Sequence, residues 1–404
     1  MPEYPAIHDC RPAQTQPPVS DCEWLQVMQA DNLQIKPVTS WSDMQAFIKL
    51  PWSIYRDDRA WVPPLWLERR LHFSRMNPFF KFGSWQAWLA LKNSRPVGRI
   101  CAQINSIYQQ HYGAENGHFG LIEGEQDSGI FRALTATAEQ WLAERGVTHV
   151  TGPYNLSINQ ECGVLVEGFD TPPVCLMPHS RHWYGSMLEQ QGYIPEQDLL
   201  AYWVKIDFAA PPAMVAISKR YNDRIRLRPL NRKRFAEELE LMRDIYNDAW
   251  SKNWGFIPFT KEEFTDLGNS LRLFIEDGFI QFAEVDNIPA GFMVTLPNLN
   301  EIIGKIDGRL LPLGWLKFLR YVRQKRFHTG RVPLMGVRKQ FQQKPIGLAL
   351  AFMLIDESRK EVYGYGIREV EMSWILEVNK PMIGILDSIG STLYKRYRMY
   401  GKNI

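Results

Sequence analysis

Val332-Pro-Leu-Met-Gly-Val-Arg-Lys-Gln-Phe-Gln-Gln-Lys-Pro-Ile-Gly-Leu-Ala-Leu-Ala-Phe-Met-Leu354 is the stretch that decides the fold. Val332 to Val337 is a short apolar run that reads as a strand. A polar turn follows, and from Pro345 the residues become continuously apolar at the length of a helix. Strand, glycine-bearing turn and helix start make an anion site, because unpaired backbone N–H groups and the helix dipole converge on one spot. Gly336, Val337, Arg338, Lys344, Pro345, Ile346, Gly347, Leu348 and Ala349 are the expected cofactor-binding residues, with Lys344 supplying a cation for phosphate.

Outward from this stretch, the chain reads as α/β, with strands and helices alternating from Leu33 onward. Its 404 residues exceed one ordinary core, and apolar and aromatic fractions of 45% and 13% supply two. A weak internal repeat supports that division. Ala87 to Ile100 reads as strand, polar turn and strand, with Pro96-Val97-Gly98 opening the second arm. Gln281 to Val294 repeats the plan, with Asp286-Asn287 in the turn and Pro289-Ala290-Gly291 at the matching place. Each half also carries a helix closed by glycine, Trp183 to Gly192 and Pro381 to Gly390. The expected organisation is a flexible tail over residues 1–32, a first domain over 33–208 and a second over 209–404, with the boundary near Ala209-Ala-Pro-Pro212.

Composition excludes several classes. A formal charge of +3 lacks the basic excess of a polynucleotide binder, so no nucleic-acid partner is expected. Cys10, Cys22, Cys101, Cys162 and Cys175 show neither a CxxC nor a Cys/His ligand spacing, which predicts no metal site and no disulfide framework. The N-terminal segment, with Glu3 and Asp9, lacks a signal peptide's basic start and apolar core. The longest apolar run, Ile346 to Ile355, falls short of the roughly 20 residues of a membrane span. A cytoplasmic protein is expected.

Downstream of the opening stretch, Glu369 to Asn379 alternates as a strand ending in Asn, followed by a helix to Gly390 and a last strand from Thr392 to Tyr400. At this point a resemblance is nameable. Lys344-Pro-Ile-Gly347-Leu-Ala349 resembles motif A of the GNAT acyltransferases, which cradles the CoA pyrophosphate, with Lys in place of the usual Arg or Gln. The segment from Glu369 resembles motif B. From about residue 40 the chain is similar to the YghO-like bacterial tandem GNAT proteins, a group related to bacterial ceramide synthase-like N-acyltransferases. The segments that carry this are Pro51-Trp-Ser-Ile-Tyr55, Trp61-Val-Pro-Pro64, Val97-Gly-Arg-Ile100, Gly152-Pro-Tyr-Asn155, Gly168-Phe-Asp170, Ser373 to Asn379 and Tyr394-Lys-Arg-Tyr397. The resemblance implies two tandem GNAT-like domains with mixed central sheets flanked by helices. It also implies acyl transfer from acyl-CoA to a primary amine, including that of a lipid or sphingoid base.

Such chemistry needs a proton acceptor, an oxyanion donor and an exit for the thiolate. Glu377 and Glu371 share parity on the alternating strand and are the candidate bases. A backbone N–H near Gly336 or Val337 is the candidate oxyanion donor. Asn379 either orients substrate or caps the next helix. Many GNAT enzymes carry a Tyr seven residues after the Asn position, where this chain has Leu386, so Tyr394 or Tyr397 stands in, or the thiolate leaves unassisted.

The first half has no matching loop. Gly124-Glu-Gln-Asp-Ser-Gly129 is acidic and would repel a pyrophosphate, so that half reads as degenerate. An insertion from Gly308 to Gly330 mixes apolar and cationic residues. It suits either a helix on an anionic membrane surface, placing the protein peripherally on the inner membrane face, or a lid, or a helix packed between the domains. His179 and His182 complete no metal site or triad and read as structural. The competing functions are a non-catalytic CoA- or lipid-binding protein and Fem-like aminoacyl transfer from charged tRNA.

Overall fold

The two hairpins are the local features from which the sheet grows. A computed structural model describes residues 32–404, so the tail assigned to 1–32 lies outside the described residues except for Asn32. In the first half, β1 (Leu33–Pro37), β2 (Gly83–Lys92), β3 (Arg95–Asn105), β4 (Asn116–Gly124), β5 (His149–Gly152), the short β6 (Tyr154–Asn155) and β7 (Glu161–Cys162), β8 (Val164–Glu167) and β9 (Ile194–Lys205) follow in order. The second half adds β10 (Ile225–Pro229), β11 (Ile280–Val285), β12 (Ile288–Pro297), β13 (Thr329–Val337), β14 (Glu369–Leu376) and β15 (Thr392–Asn403). The turn between β2 and β3 has Asn93 and Ser94 at φ 51° and 62°, and that between β11 and β12 has Asp286 and Asn287 at 50° and 67°. Both are the doubly left-handed type whose twist matches the flanking strands. Each hairpin carries a bulge, at Ala90/Leu91 and at Ala283/Glu284.

The helices are α1 (Trp41–Ile54), α2 (Trp66–His72), α3 (Ser106–Tyr112), α4 (Ser128–Ala143), α5 (Tyr184–Glu189), α6 (Pro212–Tyr221), α7 (Phe235–Trp250), α8 (Lys261–Leu271), α9 (Asn300–Ile303), α10 (Gly314–Arg323), α11 (Pro345–Gly364) and α12 (Lys380–Ser388). Twelve of the strands lie side by side in the order β1-β2-β3-β4-β5-β15-β9-β14-β13-β12-β11-β10, with β8 also paired to β15. That order reads the same from either end once β1 is matched to β10, β2 to β11, and so on to β15 and β9. The two halves are thus related by a pseudo-dyad, and each donates its last strand to the other. The first half's β9 pairs with β14, and the second half's β15 pairs with β5.

Packing follows the exchange. Leu200, Tyr202 and Val204 of β9 belong to the second half's core with Phe282, Phe292 and Leu350. Tyr400 of β15 belongs to the first half's core with Phe119, Phe131 and Leu134. Asp198 of β9 fastens the crossing strands through Arg396 at 2.9 Å and Arg398 at 2.7 Å.

In each half one pair of neighbouring strands is parallel and separates after a few residues. β4 and β5 pair from Asn116↔His149 to His118↔Thr151, and β13 and β14 from Thr329↔Glu369 to Val332↔Met372. Beyond those points the pairing ends in both halves, and in the first half the chain past β5 stays against β4, Asn155 accepting from the Leu121 N–H at 2.9 Å.

Candidate active site

Where the halves meet lies a cavity of about 670 Å³, a size that accommodates a substantial ligand. Pro333 and Leu334, immediately past the last β13 pair, and Trp374 of β14 line it, so the separation of the second half's parallel strands opens into it. Leu121 and Glu123 of β4 line it from the first half.

The β13 wall is backed by a buried ionic cluster. Arg331, 3% exposed, donates from Nε to Ser373 Oγ at 2.9 Å and from Nη1 to the carbonyls of Cys175 and Leu176 at 3.2 and 3.0 Å. Its guanidinium lies 3.9 Å from the Glu371 carboxylate and stacks on the Trp374 ring. Glu371 has no exposed surface and accepts hydrogen bonds from Ser373 and Tyr394. Burial pushes its carboxyl pKa up against the opposing pull of Arg331. The Tyr394 hydroxyl is likewise raised by burial and by Glu371.

Across the cavity, Glu123 accepts from the hydroxyls of Tyr55 at 2.7 Å and Tyr184 at 2.6 Å, with Arg99 at 3.5 Å. Arg69 pairs with Glu161 at 2.7 Å, and this partner outweighs burial to hold the Glu161 carboxyl at about 2. Sequence reasoning missed this polar wall. Tyr55, Glu123 and Tyr184 stand more than 60 residues apart, and no local spacing signals that they meet.

No protein-family model matches the chain. YghO of Escherichia coli K12 is 43% identical over 384 residues, covering 94% of this chain and 98% of its own. The bacterial ceramide synthase of Caulobacter vibrioides is 41% identical over 376 residues, covering 92% and 97%. The chain belongs to the family of YghO and this ceramide synthase. Among solved structures, the tandem GNAT protein of the clavulanic acid pathway aligns over 92% of this chain and 98% of its own, with a TM-score of 0.53 at 14% identity, a likeness of fold.

Of the segments that carry the YghO-family resemblance, Gly168-Phe-Asp170 and Tyr394-Lys-Arg-Tyr397 join the two halves. Lys395 donates to the carbonyls of Gly168 at 2.5 Å and Thr171 at 2.8 Å, and burial pushes its amine down to about 8. Gly168 has φ +86°, and a Cβ there would sit 2.2 Å from the Tyr394 carbonyl oxygen, so a side chain is excluded twice over. Asn155 accepts from the Leu121 N–H at 2.9 Å and donates to Glu161.

The motif A residues occupy the turn and first helical turn between β13 and α11. Lys344 is the N-cap of α11 and forms no side-chain cap, with Pro345 at the first position. Gly347 is needed for packing, since a Cβ would lie 2.2 Å from the Phe341 carbonyl oxygen. The N–H groups of Gly347 and Leu348, expected from the sequence to be unpaired, donate to the Lys344 carbonyl at 2.9 and 3.4 Å, and the Lys339 N–H donates to Asp248. Ile346 and Ala349 are buried, whereas Leu348 is exposed. Arg338 pairs with Asp244, and its N–H donates to Ala290 of β12 at 2.8 Å. By strand alternation the Val337 N–H faces the other way, toward the separated β14, and the Gly336 N–H faces β12. At the equivalent place in the first half, Asp127 caps α4 by accepting from Gly129 at 2.8 Å.

The remaining candidates separate. Glu371 and Tyr394 are brought together. Tyr397 is fully buried with its hydroxyl unpartnered, and Asn379 caps α12 by accepting from Met382 at 3.2 Å. Glu377 lies past the end of β14, whose register against β9 shifts between Met372 and Ile375, so sequence parity does not give it the environment of Glu371. Leu386 is wholly within the core. His179 is bound to Asp58 at 3.0 Å. Among the described residues no cluster of three or more His, Cys, Asp or Glu is placed to hold a metal, and no helix is long and apolar enough to cross a membrane.

Proposed function

We propose that the chain is an acyl-CoA-dependent N-acyltransferase that moves an acyl group from the CoA thioester to the primary amine of a lipid-like acceptor, with a sphingoid base as the favoured class. The name of the Caulobacter relative supports this substrate class. The observation that carries the reading is the opening of the separated β13/β14 pair onto a cavity walled by apolar residues of both halves, such as Val62, Leu65, Leu121, Ile303 and Leu334.

In this reading the diphosphate sits at Lys344 to Ala349, where α11 starts without a side-chain cap, and the second half alone binds the thioester. The amine nitrogen attacks the thioester carbonyl, forming the C–N bond as the C–S bond breaks. The Val337 N–H stabilises the oxyanion. The amine proton passes to the Tyr394 oxygen as that hydroxyl's own proton passes to Glu371, and the thiolate leaves unassisted, its thiol having a pKa of about 8.5. Asn379 serves as a cap and Tyr397 as core. Peripheral contact with the inner membrane face through residues 308–330 is compatible with this reading and independent of it.

Thiol release from acyl-CoAs of graded chain length, with and without long-chain primary amines, tests it. Release that depends on the amine is expected. Glu371→Gln and Tyr394→Phe should each lower kcat by about a hundredfold, the scale of a lost proton-transfer group, with thioester affinity unchanged. Saturable thioester binding without release under any amine would favour a non-catalytic binding protein, and absence of binding would favour aminoacyl transfer.

A further inference from the structure

We propose that α10 and the cavity rim beside it form a docking face for an anionic membrane, through which acyl and amine chains pass between bilayer and cavity. The passage of substrate rests on the acyltransferase reading; the docking does not.

The α10 helix is not enclosed between the halves: it contains no buried residue, and Phe318, Tyr321 and Val322 pack against the second half's core while remaining only partly buried. One side of it is anchored. Phe318 packs edge-on against Phe274 at 5.7 Å, and the Tyr321 hydroxyl donates to Glu301 at 2.9 Å. Leu316 on α10, with Leu311 and Leu313 in the turn before it, presents large apolar groups to solvent, 52%, 78% and 64% exposed respectively. Such a contiguous patch is abnormal for a surface that meets only water.

Charge selects the occupant. Residues 308–330 contain Arg309, Lys317, Arg320, Arg323, Lys325 and Arg326 and no Asp or Glu. With the chain as a whole at +3, the remainder carries a net −3. Arg309 and Lys325 reach acidic partners outside the segment, Asp307 at 3.4 Å and Glu276 at 3.2 Å. A positive, apolar surface on an otherwise negative molecule complements a bilayer with anionic headgroups, and it disfavours a second copy, whose identical patch would repel it.

The patch borders the cavity. Phe274, which touches Phe318, lines it, and the adjoining Leu273 is 83% exposed. On the other side, the Trp66 N–H at the start of α2 donates to the Gly308 carbonyl at 3.2 Å, tying α2 to the segment. Leu71 and Met76 line the cavity and are exposed as well. Apolar side chains from both halves therefore run from the docking face into the cavity mouth.

Flotation of the full chain with vesicles of phosphatidylcholine alone and of equal parts phosphatidylcholine and phosphatidylglycerol tests the docking. Recovery with the anionic vesicles only is expected, together with an about hundredfold or greater loss of partitioning in the Lys317→Glu/Arg320→Glu/Arg323→Glu variant. Leu311→Asn/Leu316→Asn should weaken binding at an unchanged melting temperature. Failure of the wild type to float, flotation unaffected by charge reversal, or a solution dimer disrupted by Leu316→Asn overturns the proposal. Turnover is read in parallel. Acylation of vesicle-embedded amine should fall in the charge-reversed variant while acylation of a soluble short-chain amine persists. Flotation without any turnover would leave the docking standing and remove the acyltransferase reading.

Discussion

Arg331 shows how much one residue ties together. Itself buried, it joins the cavity wall at Trp374, the buried Glu371 carboxylate and the 175–176 backbone. Arg331→Ala strands the Glu371 charge in the interior, and equilibrium denaturation should show a loss of about 3 kcal/mol or more. Lys395 offers a pH test with the opposite logic. Its folded pKa, pushed down to about 8 by burial, lies below the unfolded lysine value near 10.4, so between these limits the unfolded chain binds more protons and the native state gains stability as pH rises. Lys395→Met has no proton to lose, and its unfolding free energy, compared with the wild type at pH 7.5 and pH 10, should lack that gain. Neither residue announced itself chemically in the sequence, because the carbonyls they hold, Cys175 and Leu176 for Arg331 and Gly168 and Thr171 for Lys395, lie more than 150 positions away.

At the scale of elements, the hairpins were legible because their cause is local. Asp286-Asn287 must adopt positive φ at both positions, which few residue pairs tolerate, so Asn287→Val should destabilise the fold by about 1 to 2 kcal/mol in thermal or chemical denaturation. The strand, turn and helix at Val332 to Leu354 were legible for the same reason. The glycine of that motif was read as part of an anion site, whereas the space a Cβ would take there is filled by the protein's own Phe341 carbonyl. The parity of Glu371 and Glu377 misled, because β14 carries one more residue than β9 between Met372 and Ile375, an irregularity that the alternating pattern does not signal. The pattern of α10 fitted the interior and a membrane surface equally well. Only the position of its neighbours in space separates them.

At the scale of the molecule, the internal repeat pointed to two tandem units but not to the exchange of their last strands, since pairing between β5 and β15 spans most of the chain. That exchange makes each half's core depend on the other. Calorimetry should therefore show a single unfolding transition, and segments 33–208 and 209–404 expressed separately should each fail to fold, yet recover a native melting profile when refolded together. Two independent transitions would show that the halves stand alone. The seat of the thioester is the claim on which the functional account turns, and a crystal structure with a non-hydrolysable long-chain acyl-CoA tests it most directly. The account predicts the diphosphate against Lys344 to Ala349 and the acyl chain passing Pro333 and Trp374 into the shared cavity. A diphosphate at the Asp127-capped start of α4, or an acyl chain that leaves the cavity empty, would contradict it.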